Sequence, residues 1–179
     1  PGMIQEAFPF YDGVAWYYYE FSLAIESIRD GRYLIDFTAV DYLCEVWLNG
    51  VYLGLHEDAE EPFQFDITDA VLPEGKNLLA LRVVNPHEKP IDGITLEMTP
   101  RRNKFNLNHQ PGMVLNYGGI TGPVSILSVP AVSISDIYLV PNWKTGDVAF
   151  EITVRSSADR TEECEISVSI HEAAAGRHV

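Results

Sequence analysis

The densest group of side chains with chemical potential is an acidic run that directly follows His56. Its carboxylates belong to Glu57, Asp58, Glu60 and Glu61. Two carboxylates can act as an acid and a nucleophile when their surroundings push their pKa values apart. Nothing nearby in the sequence would do so, which favours a solvated acidic loop without catalytic residues. For His56 the favoured interpretation is that it orients this loop, and the alternative is contact with a ligand.

A second polar stretch lies within the long, weakly patterned segment between positions 85 and 122. Amide, imidazole and guanidinium groups can grip hydroxyls and carboxylates with several hydrogen bonds. The stretch could bind a ligand, form an ordinary polar loop, or pack on another domain. Its polar and basic side chains are Asn103, Asn106, Asn108, His109 and Gln110, together with Arg101, Arg102 and Lys104.

Several classes of function lack support in the sequence. A net charge of -14 repels phosphate groups, so nucleic acids and anionic membranes are poor partners. No metal-ligand spacing, phosphate-binding loop or Ser/His/Asp set occurs, so neither a metal nor a cofactor is expected. Cys44 and Cys164 lie far apart in apolar runs. Buried free thiols are therefore favoured over a disulfide.

The elements that must position these residues are predicted to be strands. Short runs rich in Val, Ile, Tyr, Phe and Trp alternate with Gly, Pro, Asn and Asp, which is typical of an all-β sandwich or barrel. Asn49 and Gly50 both tolerate positive φ, which predicts a hairpin between Cys44–Leu48 and Val51–Leu55. The other strands of the first domain are predicted at Trp16–Leu23, Tyr33–Phe37, Phe63–Ile67, Leu78–Val84 and Pro123–Val129.

Two of these strands carry a prediction about burial. Leu78–Val84 is apolar on both faces except at Arg82, which predicts a central strand. In the first strand, Trp16, Tyr18 and Phe21 are expected to contribute to the core.

A change of domain is predicted at a short linker, residues 130–132. Beyond it, Ser133–Val140, Asp147–Val154 and Glu163–Ile170 alternate apolar and polar residues as in an immunoglobulin-type sheet. Such a sandwich needs about seven strands. Three cannot close it, so the natural protein is expected to be longer. The N-terminal residues resemble no signal peptide, and both cytoplasmic and exported locations stay open.

Five motifs resemble, in order, the sugar-binding domain of glycoside hydrolase family 2, which includes β-galactosidases, β-glucuronidases and β-mannosidases. Together they cover residues 13–130, and the strands beyond resemble the immunoglobulin-like domain that follows in that family. The motifs are G-V-A-W-Y-Y-Y-E-F at 13–21, E-V-W-L-N-G-V-Y-L-G-L-H at 45–56, P-F-Q-F-D-I-T-D at 62–69, G-K-N-L-L-A-L-R-V at 75–83, and N-Y-G-G-I with P-V at 116–124.

The resemblance implies a galactose-binding-like jelly-roll β-sandwich over residues 1–130 and an incomplete immunoglobulin-like β-sandwich over 131–179. It also implies that this chain is the non-catalytic, substrate-entrance part of an enzyme that hydrolyses terminal β-linked sugars with retention. In the family, the two catalytic glutamates lie in a later (β/α)8 barrel, and the long loop reaches towards its active site. The implied substrate-binding residues are His56, Asn103, Asn106, Asn108, His109 and Tyr117.

Three tryptophans are also candidates for stacking on a sugar. Trp16 and Trp47 sit inside strand patterns, so burial in the core is favoured for both. Trp143 follows Pro141 in a predicted turn and is the more exposable, although it could bury against a neighbouring domain.

Two other functions remain open at this level. A stand-alone carbohydrate-binding module would bind free sugar by itself. A structural spacer would bind no sugar and offer only a docking surface. The unfinished second sandwich argues against the stand-alone module.

Overall fold

The computed structural model describes residues 1–9, 11, 13–23, 31–85, 91, 118–158, 160–161 and 163–170. The chain divides into two compact units, Pro1–Pro130 and Ala131–Val179. The elements are β1 (Gly2–Met3), α1 (Ile4–Ala7), β2 (Gly13–Ser22), β3 (Arg32–Phe37), β4 (Val40–Asp41), β5 (Leu43–Leu48), β6 (Val51–Glu57), β7 (Phe63–Asp66), β8 (Lys76–Asn85), β9 (Gly119–Ile120), β10 (Val124–Val129), β11 (Val132–Pro141) and β12 (Val148–Ser156).

The first unit is a β-sandwich, which confirms the all-β prediction. One sheet has the strand order β2-β8-β5-β6 and the other the order β10-β3-β7, and a small sheet joins β1 and β4 through β9. Alternating residues of both larger sheets turn inward to form one core. Its fully or nearly fully buried side chains include Ile35, Phe37, Val46, Leu48, Ile67, Leu81 and Val83.

The predicted hairpin is confirmed, and it forms the edge of the four-stranded sheet. Asn49 and Gly50 have φ of 53° and 82°, as a tight hairpin turn requires. Leu48 pairs with Val51, and a register shift leaves Leu53 as an extra residue in β6. Such a bulge sharpens the local twist of an edge strand. The predicted central position of β8 is confirmed as well, since β8 pairs with both β2 and β5.

Two asparagines fasten the hairpin turn to the connection between β7 and β8. Asn77 is fully buried. Its Oδ1 accepts hydrogen bonds from Asn49 Nδ2 at 2.8 Å and from the Leu72 amide at 2.7 Å. Asn49 Oδ1 in turn accepts from the amide of Leu78 at 2.9 Å. Because buried polar groups are costly when unpaired, this network specifies one geometry for the turn.

The N-terminal segment is seated against β9. The amide of Ile4 donates to the Gly118 carbonyl at 2.8 Å, and the Tyr17 hydroxyl donates to the Gly2 carbonyl at 3.0 Å. Gly119 has a φ of 117°, and a Cβ there would lie 2.8 Å from the Gly2 carbonyl oxygen. A side chain at position 119 would therefore displace β1.

The second unit contains a hairpin of β11 and β12. An ordered turn links them, in which the Gly146 amide donates to the Asn142 carbonyl at 2.8 Å. Trp143 projects from this turn and is 87% exposed. The strand predicted at Glu163–Ile170 is wrong, because this segment makes no ladder with the hairpin. Cys164 is accordingly exposed, which contradicts the predicted burial, whereas Cys44 is buried as predicted.

Candidate functional site

Most of the predicted substrate-binding residues fall outside the described part of the chain. His56 is the one that the structure places. The others are Asn103, Asn106, Asn108, His109 and Tyr117, and all five lie outside the described residues.

His56 lies within β6 and not at the start of the acidic loop, which begins at Asp58. It pairs with Cys44 across the ladder. Its ring stacks on Phe63 with 4.0 Å between centroids and an interplanar angle of 14°. Nε2 is buried and has no hydrogen-bond partner among the described residues. The stacked ring couples the hairpin to the first residue of β7.

The acidic loop is built by hydrogen bonds to Asp58. Its Oδ1 accepts from the amides of Glu60 at 2.7 Å and Glu61 at 2.9 Å. These two bonds lower the pKa of Asp58, since they favour the charged carboxylate. A general acid requires the opposite shift. The geometry therefore agrees with a solvated structural loop.

The outer side of the four-stranded sheet carries four neighbouring aromatic rings, here called the aromatic face: Trp16, Tyr18, Trp47 and Tyr52. Ring centroids are 6.0 Å apart for Trp16–Tyr18, 5.4 Å for Trp16–Trp47 and 5.2 Å for Trp47–Tyr52. The strand registers explain this continuity. One transverse row reads Tyr18, Ala80, Trp47, Tyr52, and the next reads Trp16, Arg82, Glu45, Leu55.

The second row is crossed by an ion pair. Arg82 Nη1 lies 2.7 Å from Glu45 Oε2, and the two side chains are 11% and 24% exposed. Ala80, the small residue of the first row, leaves room for Trp16 and Trp47 to meet diagonally over β8. The face is therefore a continuous aromatic surface beside a neutralised charge pair.

The aromatic face overturns the burial predictions made for its tryptophans. Trp16 is 49% and Tyr18 65% exposed, and Trp47 is half-buried on the outer side. Of the three residues expected to be buried in β2, only Phe21 packs against the core, and Tyr17 joins it. The alternation of sides along a strand could have shown that these rings face outward, because residues two apart lie on the same side of the sheet. Glu20 shares its side of β2 with Trp16 and Tyr18, and Glu45 shares its side of β5 with Trp47.

The outer side of the β10-β3-β7 sheet is here called the polar face. Its polar and charged side chains pair with one another across the strands. Gln64 Nε2 donates to Asp36 Oδ1 at 2.8 Å, and Arg32 lies 3.5 Å from Asp66. Ser125 pairs with Asp36 on the next strand.

Across the described residues, no cluster of three metal-ligating side chains is present on either face or elsewhere. Nor does that part of the chain hold a helix suited to crossing a lipid bilayer.

Residues 2–130 match the model of a family described as "Glycosyl hydrolases family 2, sugar binding domain". The chain belongs to glycosyl hydrolase family 2. The resemblance to this family that the five sequence motifs carry is thereby confirmed. The first unit is the sugar-binding domain of that family. Several motif residues have scaffold roles, since Asn49, Asn77 and Gly119 all act on backbone geometry.

Curated relatives of this family 2 chain are glycoside hydrolases. It is 28% identical over 163 residues to the "Beta-galactosidase large subunit" of Latilactobacillus sakei, covering 89% of this chain and 23% of that protein. It is 27% identical over 156 residues to the "Beta-glucuronidase" of Canis lupus familiaris, covering 81% and 24% respectively. The chain thus spans about a quarter of the length of these relatives.

Solved structures agree on the fold. A β-glucuronidase of an uncultured Clostridium sp. superposes with a TM-score of 0.60 at 26% identity, over 81% of this chain and 24% of that one. A β-glucuronidase of Faecalibacterium prausnitzii gives a TM-score of 0.61 at 23% identity, covering 83% and 27%. Each match covers more of the chain than the second unit holds, so it extends over the first unit.

Proposed function

We propose that residues 1–130 form the non-catalytic substrate-entrance domain of a longer family 2 glycoside hydrolase. In this proposal residues 131–179 begin an immunoglobulin-like domain, and the chain packs on later domains of the same polypeptide. The whole enzyme would hydrolyse terminal β-linked sugars with retention, through two glutamates in a (β/α)8 barrel. Its relatives make β-galactosides and β-glucuronides the first substrates to test.

The observation that supports the non-catalytic role is that the acidic loop is built around the charged carboxylate of Asp58. Retaining glycosidases hold two carboxyl groups about 5–5.5 Å apart, one of them with a raised pKa. The densest carboxylates of this chain sit in a loop built on Asp58, whose pKa is lowered by backbone amides. The lowered pKa of Asp58 is the opposite of what the general acid of such a pair requires, which supports a structural role for this loop.

Turnover assays test this division of labour. The 179-residue chain and the complete parent polypeptide would be incubated with nitrophenyl β-galactoside and nitrophenyl β-glucuronide. We expect hydrolysis by the parent and none by the chain. Hydrolysis by the purified chain would overturn the non-catalytic role, and a parent inactive on every β-glycoside tried would overturn the hydrolase proposal.

The substrate-facing side chains in this proposal are those of the long loop and its flank. Asn103, Asn106, Asn108, His109 and Tyr117 would contact the sugar where the barrel holds it, whereas His56, whose ring stacks on Phe63, would position the hairpin beside β7. Replacing Asn103 or Asn108 by Ala in the parent should raise KM about 2- to 10-fold, the loss expected for one hydrogen bond. Gln64→Ala, on the polar face, is the matched amide control and should leave KM unchanged.

Equal KM values for all three variants would show that the loop does not contact the substrate. A sugar titration of the 179-residue chain completes the test. Tight binding by the chain alone would favour a carbohydrate-binding module, since a shared site needs the barrel for most of its contacts.

A further inference from the structure

We propose that Asn49–Gly50, the turn between β5 and β6, is a site of spontaneous covalent modification, namely deamidation of the Asn49 side chain. The folded turn holds this reaction back. Deamidation of an opened turn then prevents the turn from re-forming. The reaction belongs to the scaffold of the first unit, and it needs neither a sugar nor a catalytic barrel.

The turn contains both groups that react. The backbone nitrogen of Gly50 can attack Cγ of Asn49, because the two atoms close a five-membered ring. Glycine favours this closure, since it has no side chain to hinder the approach and has the greatest backbone freedom. Asn49 is the only asparagine in the sequence that precedes a glycine. The other asparagines precede bulkier residues, as Asn142 precedes Trp143.

The reaction needs no co-reactant other than water. A bond forms between the Gly50 nitrogen and Asn49 Cγ, and the bond from Cγ to Nδ2 breaks. Nδ2 leaves as ammonia and takes the proton of the Gly50 amide, so that a cyclic imide remains. Water then opens the ring at one of its two carbonyl carbons and gives aspartate or isoaspartate. Each product carries one more negative charge than the amide.

The folded turn opposes ring closure because three hydrogen bonds hold the Asn49 amide. Nδ2 donates to the Ala70 carbonyl at 2.8 Å and to Asn77 Oδ1 at 2.8 Å, and Oδ1 accepts from the Leu78 amide at 2.9 Å. The side chain must swing back over its own backbone to react, which breaks all three bonds. Asn77 is fully buried, so its Oδ1 would lose a partner away from water. The reaction is therefore confined to molecules in which the turn has opened.

The products cannot restore these contacts. A carboxylate has no proton to donate, and its oxygens would face the Ala70 carbonyl oxygen and Asn77 Oδ1, which are acceptors themselves. Isoaspartate also lengthens the backbone by one carbon, although a two-residue turn must join the paired residues Leu48 and Val51. Modified chains therefore leave the population that can refold, and the loss of folded protein becomes irreversible.

Peptide mapping of the full chain by mass spectrometry tests the protection. Deamidation at Asn49 and at Asn142 would be followed in native buffer and in urea, at one pH and temperature. In urea we expect Asn49 to react much faster than Asn142. In native buffer Asn49 should react at least about 10-fold more slowly than in urea. An Asn49 that is no faster than Asn142 in urea, or equally fast in both solvents, would overturn the proposal.

Two matched amide variants give a second readout. Asn77→Ala removes an acceptor of Asn49 Nδ2 and should speed deamidation in native buffer roughly 10-fold, since the reaction follows the population of open turns. Gln64→Ala removes an amide on the polar face and should leave the rate unchanged. Equal rates in the two variants would contradict protection by the turn.

Refolding tests the block. After partial deamidation in urea, dilution should return chains with an intact Asn49 to the folded state and exclude the modified chains, which differ in charge. Asn49→Asp reproduces one product and should lower the unfolding temperature of the first unit. The control Asn142→Asp keeps the oxygen that accepts from the Lys144 amide at 3.1 Å and should change the unfolding temperature little. Modified chains that refold with the unfolding temperature of the unmodified protein would show that deamidation does not block the turn.

Discussion

The aromatic face and the polar face lie on opposite sides of the same sandwich and share one core. On the polar face, Gln64 and Ser125 flank Asp36, and the side chains satisfy one another and meet water. On the aromatic face, Trp16 and Tyr18 are exposed on the same kind of antiparallel strand. The polar face shows that a sheet of this sandwich is compatible with a water-facing outer surface. The two outer faces therefore differ in side-chain chemistry although they rest on one core.

The largest loss of stability is expected from substitutions in the core that both faces share. Phe37 lies beneath the polar face and Leu81 beneath the aromatic face, at 0% and 1% exposure. Phe37→Ala should cost about 3–5 kcal/mol and Leu81→Ala about 2–5 kcal/mol in the free energy of unfolding. Urea unfolding followed by tryptophan fluorescence measures both. The control Leu127→Ala, on the outer side, should cost no more than about 0.5 kcal/mol. A cost below that of the control at either inner position would mean that the two sheets do not share one core.

The next effect separates a buried amide from an exposed one. Asn77→Ala leaves the Leu72 amide and Asn49 Nδ2 without their acceptor, which should cost about 1–3 kcal/mol. Gln64→Ala on the polar face removes one exposed bond and should stay within about 0.5 kcal/mol. Thermal unfolding of the two variants checks the difference. Equal losses would show that the hairpin turn does not depend on Asn77.

The ion pairs of the two faces should differ by a smaller amount. Arg82 and Glu45 meet at 2.7 Å on the aromatic face, with less exposure than Arg32 and Asp66, which meet at 3.5 Å on the polar face. Double-mutant cycles should give a coupling of about 1 kcal/mol for the first pair and about 0.3 kcal/mol for the second. Equal couplings, both lost in high salt, would mean that water screens the two faces alike.

The smallest expected effect concerns pH and the acidic loop beside β6. The pKa of Asp58 is lowered in the folded state by the amides of Glu60 and Glu61. Its contribution to stability is therefore present above the unfolded pKa of about 3.9, and it disappears as pH falls through the lower folded value. Asp58→Asn should therefore lower stability slightly at pH 7 and leave it unchanged below the folded pKa, which flattens the acid dependence. NMR titration of the Asp58 carboxyl checks the direction, and a raised pKa would contradict it.

Local chemistry made much of the sandwich predictable. Asn49–Gly50 fixed the hairpin because few pairs accept positive φ at both positions. The apolar run in β8 showed its central place because a strand covered on both sides reads as continuous apolar sequence. In β2, every position from Val14 to Tyr19 is apolar or aromatic. No alternation of polar and apolar residues marks the two sides of this strand. Only Glu20, further along, indicates which aromatic rings face outward.

The misassignments beyond position 131 have a different cause. Glu163–Ile170 alternates as a strand does, but a strand also needs a hydrogen-bonded neighbour, and β11 pairs only with β12 among the described residues. The exposure of Cys164 follows from the same lack. For the candidate site, the sequence supplied side-chain types for the loop around Asn103 to His109 but no spatial relation among them. That prediction therefore stays a prediction.

The closeness of Trp16 and Trp47 has an optical consequence. Two indole rings with centroids 5.4 Å apart and planes inclined by 35° couple their electronic transitions. Such a pair gives a circular dichroism couplet that neither ring shows alone, and it does so only while β2 and β5 keep their places on either side of β8. The sandwich thus carries a built-in spectroscopic reporter of the order of its strands, readable without any label.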